Sequence, residues 1–512
     1  MNSRIVMIPL AILCLIAGAA ASPAVPGHPQ TPRQRVEVEE TASTGRTIHV
    51  AAGGSFQAAL DEAQPGDVIR LSAGSVFTGP FRLPRKPGDS WILIRTSAPD
   101  GDLPAAGRRV GPADAARMPH LLSSKGSVIV ADLGAHHFRF LGIEMSPSAG
   151  GFLLNVALIG GQESSPADQP HHIIFDRCYV HGDPDRGSRR GIALNARHAA
   201  VIGSWISDFK EEGADTQAIA GWNGAGPFRI EGNYLEAAGE NLMFGGADPT
   251  IDGLVPADIE IRGNRFSKPL RWKKGTGGKD ETRWSVKNLL ELKNARRVVI
   301  EGNLFEHNWA QAQNGFAILF TVRNQDGSAP WSVVEDVLFA NNLVRQAGSG
   351  VNILGRDDAA LSGQARRIAI LNNVFTGIDS ARWGGSGILF QILDGTADLR
   401  IENNTALHTG TMIVADGEPH RGFVYRANLT SKNTYGIVGT GTGPEAPSVA
   451  AYFPGALIEN NTRFAGNSIP ESSAHARGTR VGADLAAVCA ALAPEDRPVA
   501  DCGHPASFTP GE

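Results

Sequence analysis

Apolar residues recur along this chain in short bursts separated by polar corners, with no long helical stripe among them. The segments Phe138 to Met145, Ile173 to Val180 and Val201 to Ile206 read as short strands in which apolar and polar positions alternate. From residue 230 a sharper pattern sets in, a strand that ends in Gly-Asn or Asn-Asn. Its copies end at Asn233, Asn264, Asn303, Asn342, Asn373, Asn404 and Asn461, separated by 31, 39, 39, 31, 31 and 57 residues. An apolar pair such as Tyr234-Leu235, Leu304-Phe305 or Val374-Phe375 follows most copies, then a turn and another strand. Each period therefore holds about three short strands, which cannot stand alone but can bury one continuous core when stacked. The pattern predicts an all-β chain, a right-handed parallel β-helix with three-strand coils and Asn-rich corners.

Asn suits such a corner for two reasons. It enters the left-handed backbone region at low cost, and its amide can hydrogen-bond from one coil to the next. Asn403, Asn428 and Asn460 fit the glycosylation pattern, but the corner repeat accounts for two of them and no glycan is expected. A helix is expected near the N-terminal end, from Phe56 to Ala63 with Ser55 as its cap. Phe56, Ala59, Leu60 and Ala63 share one face, and Pro65-Gly66 ends it. It would plug the open end of the first coil.

The 512 residues, 42% of them hydrophobic, suffice for a long core, and 61 glycines suit an all-β chain rich in turns. A net charge of -5 gives no reason to expect nucleic acid as a partner. Arg4, the apolar run Ile5 to Ala17 and Ala19-Ala20-Ala21 read as a signal peptide over 1–21. The organisation expected is then a linker at 22–47, the β-helix at 48–465, and a C-terminal cap and tail at 466–512 with a short helix at Ala483 to Ala493. The mature chain is expected to be exported, periplasmic or secreted, monomeric, and not inserted in a membrane. Cys489 and Cys502 are placed to pair, and Cys178 reads as a small buried hydrophobe.

The run Phe56-Gln57-Ala58-Ala59-Leu60-Asp61-Glu62-Ala63-Gln64-Pro65-Gly66-Asp67, with the Asn repeat, resembles the pectin-lyase-like β-helix proteins over about residues 48–465. The pattern is most similar to the chondroitinase B and alginate lyase group. That group places a catalytic Lys at the end of one coil strand and a catalytic Arg about one coil later. Glu291-Leu292-Lys293-Asn294 and Phe320-Thr321-Val322-Arg323-Asn324 match this arrangement, with Lys293 and Arg323 separated by 30 residues. The resemblance implies a polysaccharide lyase with Lys293 as base and Arg323 neutralising the uronate carboxylate or serving as acid. Members with calcium carry acidic residues shortly before the Lys. Val286 and Asn288 stand at those offsets, so no cofactor or metal is expected. Charge neutralisation then falls to Lys287, Arg323 or a nearby basic loop.

Alternation places Leu290 and Leu292 inward and Glu291 and Lys293 outward. In the next coil Phe316, Ile318, Phe320 and Val322 form the inward set, with Thr321 and Arg323 outward. The longer interval before Asn303 carries Lys268, Arg271, Trp272, Lys273, Lys274, Lys279, Arg283 and Trp284. Such an insert reads as a flap over an acidic sugar, with cations for carboxylates and Trp faces for pyranose rings. Trp309 and Asn314 from the next coil, and Asn241 two coils upstream, join the substrate-binding set with Glu291, Lys287, Arg271, Trp272, Lys273 and Trp284. The competing reading of Glu291, Lys293 and Arg323 is a surface ion-pair ladder. Two other functions compete. Asp357-Asp358 resembles the paired acids of a β-helix glycoside hydrolase, and a non-catalytic carbohydrate-binding surface protein needs no catalytic residue. His171-His172 has no third ligand at metal spacing and reads as structural.

Overall fold

The computed structural model describes residues 27–39, 43–277, 281, 283–433 and 435–465, with Val488 and Asp496 beyond them. Three long parallel sheets run the length of the molecule. One orders 14 strands from Thr47–Val50 to Leu457–Glu459. A second orders 13, from Val76–Thr78 to Thr462–Ala465, and a third orders 12, from Phe81–Leu83 to Ile437–Gly439. Neighbours in each sheet come from successive turns of the chain, so one strand from each sheet makes a coil. Ile230, Ile261, Ile300, Phe339, Ile370 and Ile401 stack in register down one inner column. The expected right-handed parallel β-helix is the fold.

The corner asparagines form an uninterrupted ladder. Asn233 N donates to Asn264 Oδ1 at 2.9 Å, and the same step repeats through Asn303, Asn342, Asn373, Asn404, Asn428 and Asn461. Each buried amide therefore finds a partner in the next coil, where an unpaired one would cost about 1–3 kcal/mol. Asn428 divides the gap of 57 residues into two coils, of 24 and 33. The left-handed residue is not the ladder residue but the one before it: Gly232, Asn341, Asn372, Asn403, Ala427 and Asn460 all have positive φ. The two jobs expected of one Asn are thus divided between neighbours.

Both ends of the helical core are covered by short helices. Phe56–Glu62 forms as expected, with Ser55 Oγ accepting from Ala58 N at 3.1 Å and Phe56, Ala59 and Leu60 buried. At the other end Ala446–Tyr452 brings Phe453 against Phe423, ring centroids 4.4 Å apart. The expected cap at 466–512, its helix at Ala483 to Ala493, the Cys489–Cys502 pair and the signal peptide lie outside the described residues. Cys178 is fully buried, and burial pushes its thiol up to about 12. No helix among the described residues is long and apolar enough to cross a membrane.

Candidate active-site cleft

The alternation that fills the core also sets the outer face. Leu290 and Leu292 are buried in the core, and between and beyond them Glu291 and Lys293 turn out into a cleft of about 560 Å³. In the following coil Ile318, Phe320 and Val322 point inward while Thr321 and Arg323 line the cleft. Phe316, expected inside, lines the cleft instead, because the strand starts at the corner where the inward alternation has not yet begun. Arg323 N donates to Lys293 O at 3.0 Å, so the two residues occupy adjacent coils. Gly245, at φ 97°, lies under this step. A Cβ there would stand 2.7 Å from Lys293 Cβ, so only glycine allows the close approach.

The electrostatics of the cleft are balanced. Lys293 Nζ stands 3.8 Å from Glu291 Oε1 and 3.4 Å from Gln325 Oε1. Glu291 is anchored from both sides, accepting from Asn288 Nδ2 at 3.0 Å and Thr321 Oγ1 at 3.2 Å. Arg323 Nη1 binds Asp357 Oδ1 at 2.8 Å and also Asp358. Burial alone would lower the Arg323 pKa, but the two aspartates raise it. Burial alone would raise Asp357, but the N–H groups of Ala359 and Asn324 and the Arg323 guanidinium hold it below the usual range. Asn314 lines the same space. The cleft therefore brings together Lys293, Arg323, Glu291 and Asn314 from the expected set, and adds Asp357, Gln313, Gln325 and Asn352. Asn352 pairs with Leu319 one coil on and Asp357 reaches Arg323 from that coil, so extending the period finds these two, whereas Gln313 and Gln325 flank the strand Phe316–Thr321 in Arg323's own coil.

The rest of the expected set lies elsewhere. Trp272, Trp284 and Trp309 are 1%, 2% and 4% exposed and pack with Val286, Ala238 and Trp383. They are the insert's own small core and offer no open face to a sugar. Cations lie over three rings of this cluster: Lys210 Nζ lies 5.4 Å from both Trp272 and Trp284, and Lys273 Nζ 5.5 Å from Trp383. Asn241 is buried, its Nδ2 donating to Leu235 O and Ser267 O. Lys268, expected in the flap, is interior. Its Nζ donates to the carbonyls of Ala237, Ala238 and Gly239 and to Asn241 Oδ1, and burial draws its pKa down to about 7. Arg271 faces Asp208 and Glu236 at 3.3 and 3.6 Å beside a different sheet. Lys287 is held by Asp215 at 2.5 Å and Glu240 at 3.5 Å. Lys279 lies outside the described residues.

Val286 and Asn288 offer no carboxylate to a hard cation. Val286 is in the tryptophan cluster, and Asn288 directs its amide N–H toward Glu291. His171 and His172 are less isolated than the spacing implied. His136 stacks on His171 and His137 on His172, with ring centroids 4.6 and 4.3 Å apart.

No protein-family model matches the chain, and no curated protein sequence matches it. Solved structures do. The catalytic unit of a thermostable GH87 α-1,3-glucanase from Streptomyces thermodiastaticus is 12% identical, covering 85% of this chain and 71% of that one, with a TM-score of 0.52. The mannuronan C-5 epimerase A-module of Azotobacter vinelandii is 12% identical over 81% and 94% of the two chains, TM-score 0.43. An alginate lyase from Paenibacillus is 13% identical over 82% and 99%, TM-score 0.30. At such identities the likeness is one of fold, the parallel β-helix.

Proposed function

We propose that the chain is an exported, monomeric polysaccharide lyase that cleaves a uronate-containing polysaccharide by β-elimination in the Lys293 cleft. The observation that carries this reading is that Lys293 and Arg323, one coil apart, face a single open cleft. β-Elimination needs a neutralised carboxylate, a base for the neighbouring C–H, and an acid for the leaving oxygen. Arg323 supplies the positive charge at the carboxylate. Its partner Asp358 is 63% exposed and yields to substrate more easily than Asp357, which is 2% exposed. Lys293, as its neutral amine, takes the proton; Arg323 serves either the carboxylate or, as the acid, the leaving oxygen. Gln313 and Asn314 offer hydrogen bonds to sugar hydroxyls along the same wall.

A second reading rests on a specific feature: Glu291 and Asp357 place two carboxylates on the same cleft, the residue types a glycoside hydrolase uses. One experiment separates the two. Purified protein is incubated with pectate, alginate, glucuronan and glycosaminoglycans while the unsaturated-uronate absorbance is followed. A rise that is lost in Lys293→Ala and Arg323→Ala supports elimination. New reducing ends without absorbance transfer the chemistry to Glu291 and Asp357. Binding without either product leaves a carbohydrate-binding protein.

A further inference from the structure

The sheet that starts at Val76–Thr78 carries, on its outer face, a grouping that the cleft does not use. His120, Glu144 and His181 come from three successive coils, on strands His120–Ser123, Glu144–Pro147 and Tyr179–His181. Register sets His120 beside Glu144, and Val180 beside Met145, so His181 falls next to Ser146. One ligand-type atom from each of the three lies within 4.8 Å of the others. His181 Nε2 is 3.2 Å from Glu144 Oε1, and His120 Nδ1 is 3.9 Å from Glu144 Oε2.

The hydrogen bonds around the group fix which nitrogens point inward. The Ser146 hydroxyl donates to Pro147 O at 2.8 Å, so toward His120 it can only accept, and His120 Nε2 at 2.7 Å is the donor. That leaves His120 Nδ1 as a lone pair. His181 Nδ1 donates to Gly182 O at 2.8 Å, because a carbonyl has no hydrogen to give, and this leaves Nε2 as a lone pair. Two imidazole lone pairs and a carboxylate then converge on one point. Such a convergence needs a cation at its centre, either a proton on one ring or a metal ion.

We infer that His120, Glu144 and His181 form a binding site for a zinc-class divalent transition metal. The donor set, two imidazoles and one carboxylate, is one that borderline metals select. The 3.2 Å separation lies near the ~3.3 Å edge of a tetrahedron built from ~2.0–2.1 Å bonds, and the 3.9 Å separation, to the other oxygen of the same carboxylate, is longer. Each histidine already holds the outer hydrogen bond that a metal-bound imidazole uses to fix its orientation, to Ser146 Oγ and to Gly182 O. The Tyr179 ring stacks on His181 with centroids 4.4 Å apart and covers one side. The side chains are 26%, 15% and 13% exposed, so water reaches the fourth position. The neighbouring histidine ladder is a poorer site. His136 and His171 lie parallel, 4° apart, so their in-plane lone pairs do not meet, and the Nδ1 atoms of His136 and His137 are already paired at 2.8 Å. A metal held by the triad would tie three coils together near the N-terminal end, on a different sheet from the cleft and independently of its chemistry.

The test uses the purified chain, stripped with a chelator and titrated with Zn²⁺ by calorimetry and with Co²⁺ by visible absorption. One equivalent is expected to bind and to raise the melting temperature. Glu144→Gln and His181→Gln should each weaken it by about 100-fold or more, the upper end of what even outer-shell losses cause. Metal-free melting and far-ultraviolet dichroism identify any variant that fails to fold. Ring-proton signals of His120 and His181 shifting on Zn²⁺ addition to the unmodified chain test the site without substitution. His136→Gln combined with His171→Gln should keep the equivalent. The inference is overturned if the unmodified chain binds no Zn²⁺, if Glu144→Gln binds as tightly, or if only the ladder variant loses the metal.

Discussion

Two lysine–carboxylate groupings stand at opposite ends of one strand, Asn288–Leu292, and they differ in what surrounds them. Lys287 lies 2.5 Å from Asp215 and 3.5 Å from Glu240, whose carboxyl is fully buried and receives Gln217 Nε2 at 2.8 Å. Lys293 lies 3.8 Å from Glu291 and faces open space. The two lysine side chains are almost equally exposed, 18% and 16%. Exposure alone therefore does not mark the reactive residue. What differs is whether the ammonium is committed: Lys287 balances two carboxylates inside a closed network, and Lys293 meets one anchored carboxylate at a distance. The first arrangement holds coils together, and the second leaves an amine available to a substrate.

The comparison can be broken most sharply at Lys293. Lys293→Ala should reduce turnover by about 10²–10⁴-fold, the contribution of a positioned base, with thermal melting almost unchanged. A large loss of stability would place Lys293 with Lys287 as a structural cation. Lys287→Ala should do the reverse. Urea unfolding should show a loss of about 3 kcal/mol, the low end for a broken buried pair because Lys287 keeps some solvent. Activity per folded molecule should survive.

Asp357→Asn sharpens the cleft side of the comparison. Under elimination it removes a competitor for Arg323, so the absorbance signal persists and apparent affinity for the uronate improves. Under hydrolysis it removes a catalytic carboxylate, and reducing ends stop appearing.

The last effect is one of pH, on the network around Lys287. Burial, then Glu291 and Asp215, push Glu240 up to about 7. The folded chain then holds a proton that the unfolded chain has released between about pH 4.3 and 7, so this group's contribution to stability falls as pH rises across that window. Glu240→Gln lacks the titration. Its melting temperature relative to the unmodified protein should climb from pH 4.5 to 7, and a constant difference would show that Glu240 ionises normally.

The sequence made the coil repeat visible because one corner residue recurs where an amide must be paired. It missed the coil that ends at Asn428, because Ala427 stands there in place of Gly or Asn. The inward and outward faces at Leu290 to Lys293 followed from period-two alternation, and the adjacency of Lys293 and Arg323 from their spacing of 30 residues, about one coil. Trp272, Trp284 and Trp309 were misplaced for a physical reason: a tryptophan beside cations reads alike whether the cations guide a ligand or cover a buried ring. Lys268 misled in the same way, since composition does not show that three carbonyls converge on its ammonium. The metal triad was illegible because its members lie 24 and 37 residues apart and meet only through register.

The asparagine ladder also bears on how such a chain changes length over evolutionary time. Asn342, Asn373 and Asn404 present the same donor and acceptor to the coil on either side. Excising the 31 residues from one rung to the next would rejoin surfaces that already match. Duplication would do the same in the other direction. Whole coils are thus the natural unit of insertion and deletion, and a binding surface can lengthen by one coil without redesigning the corner that supports it.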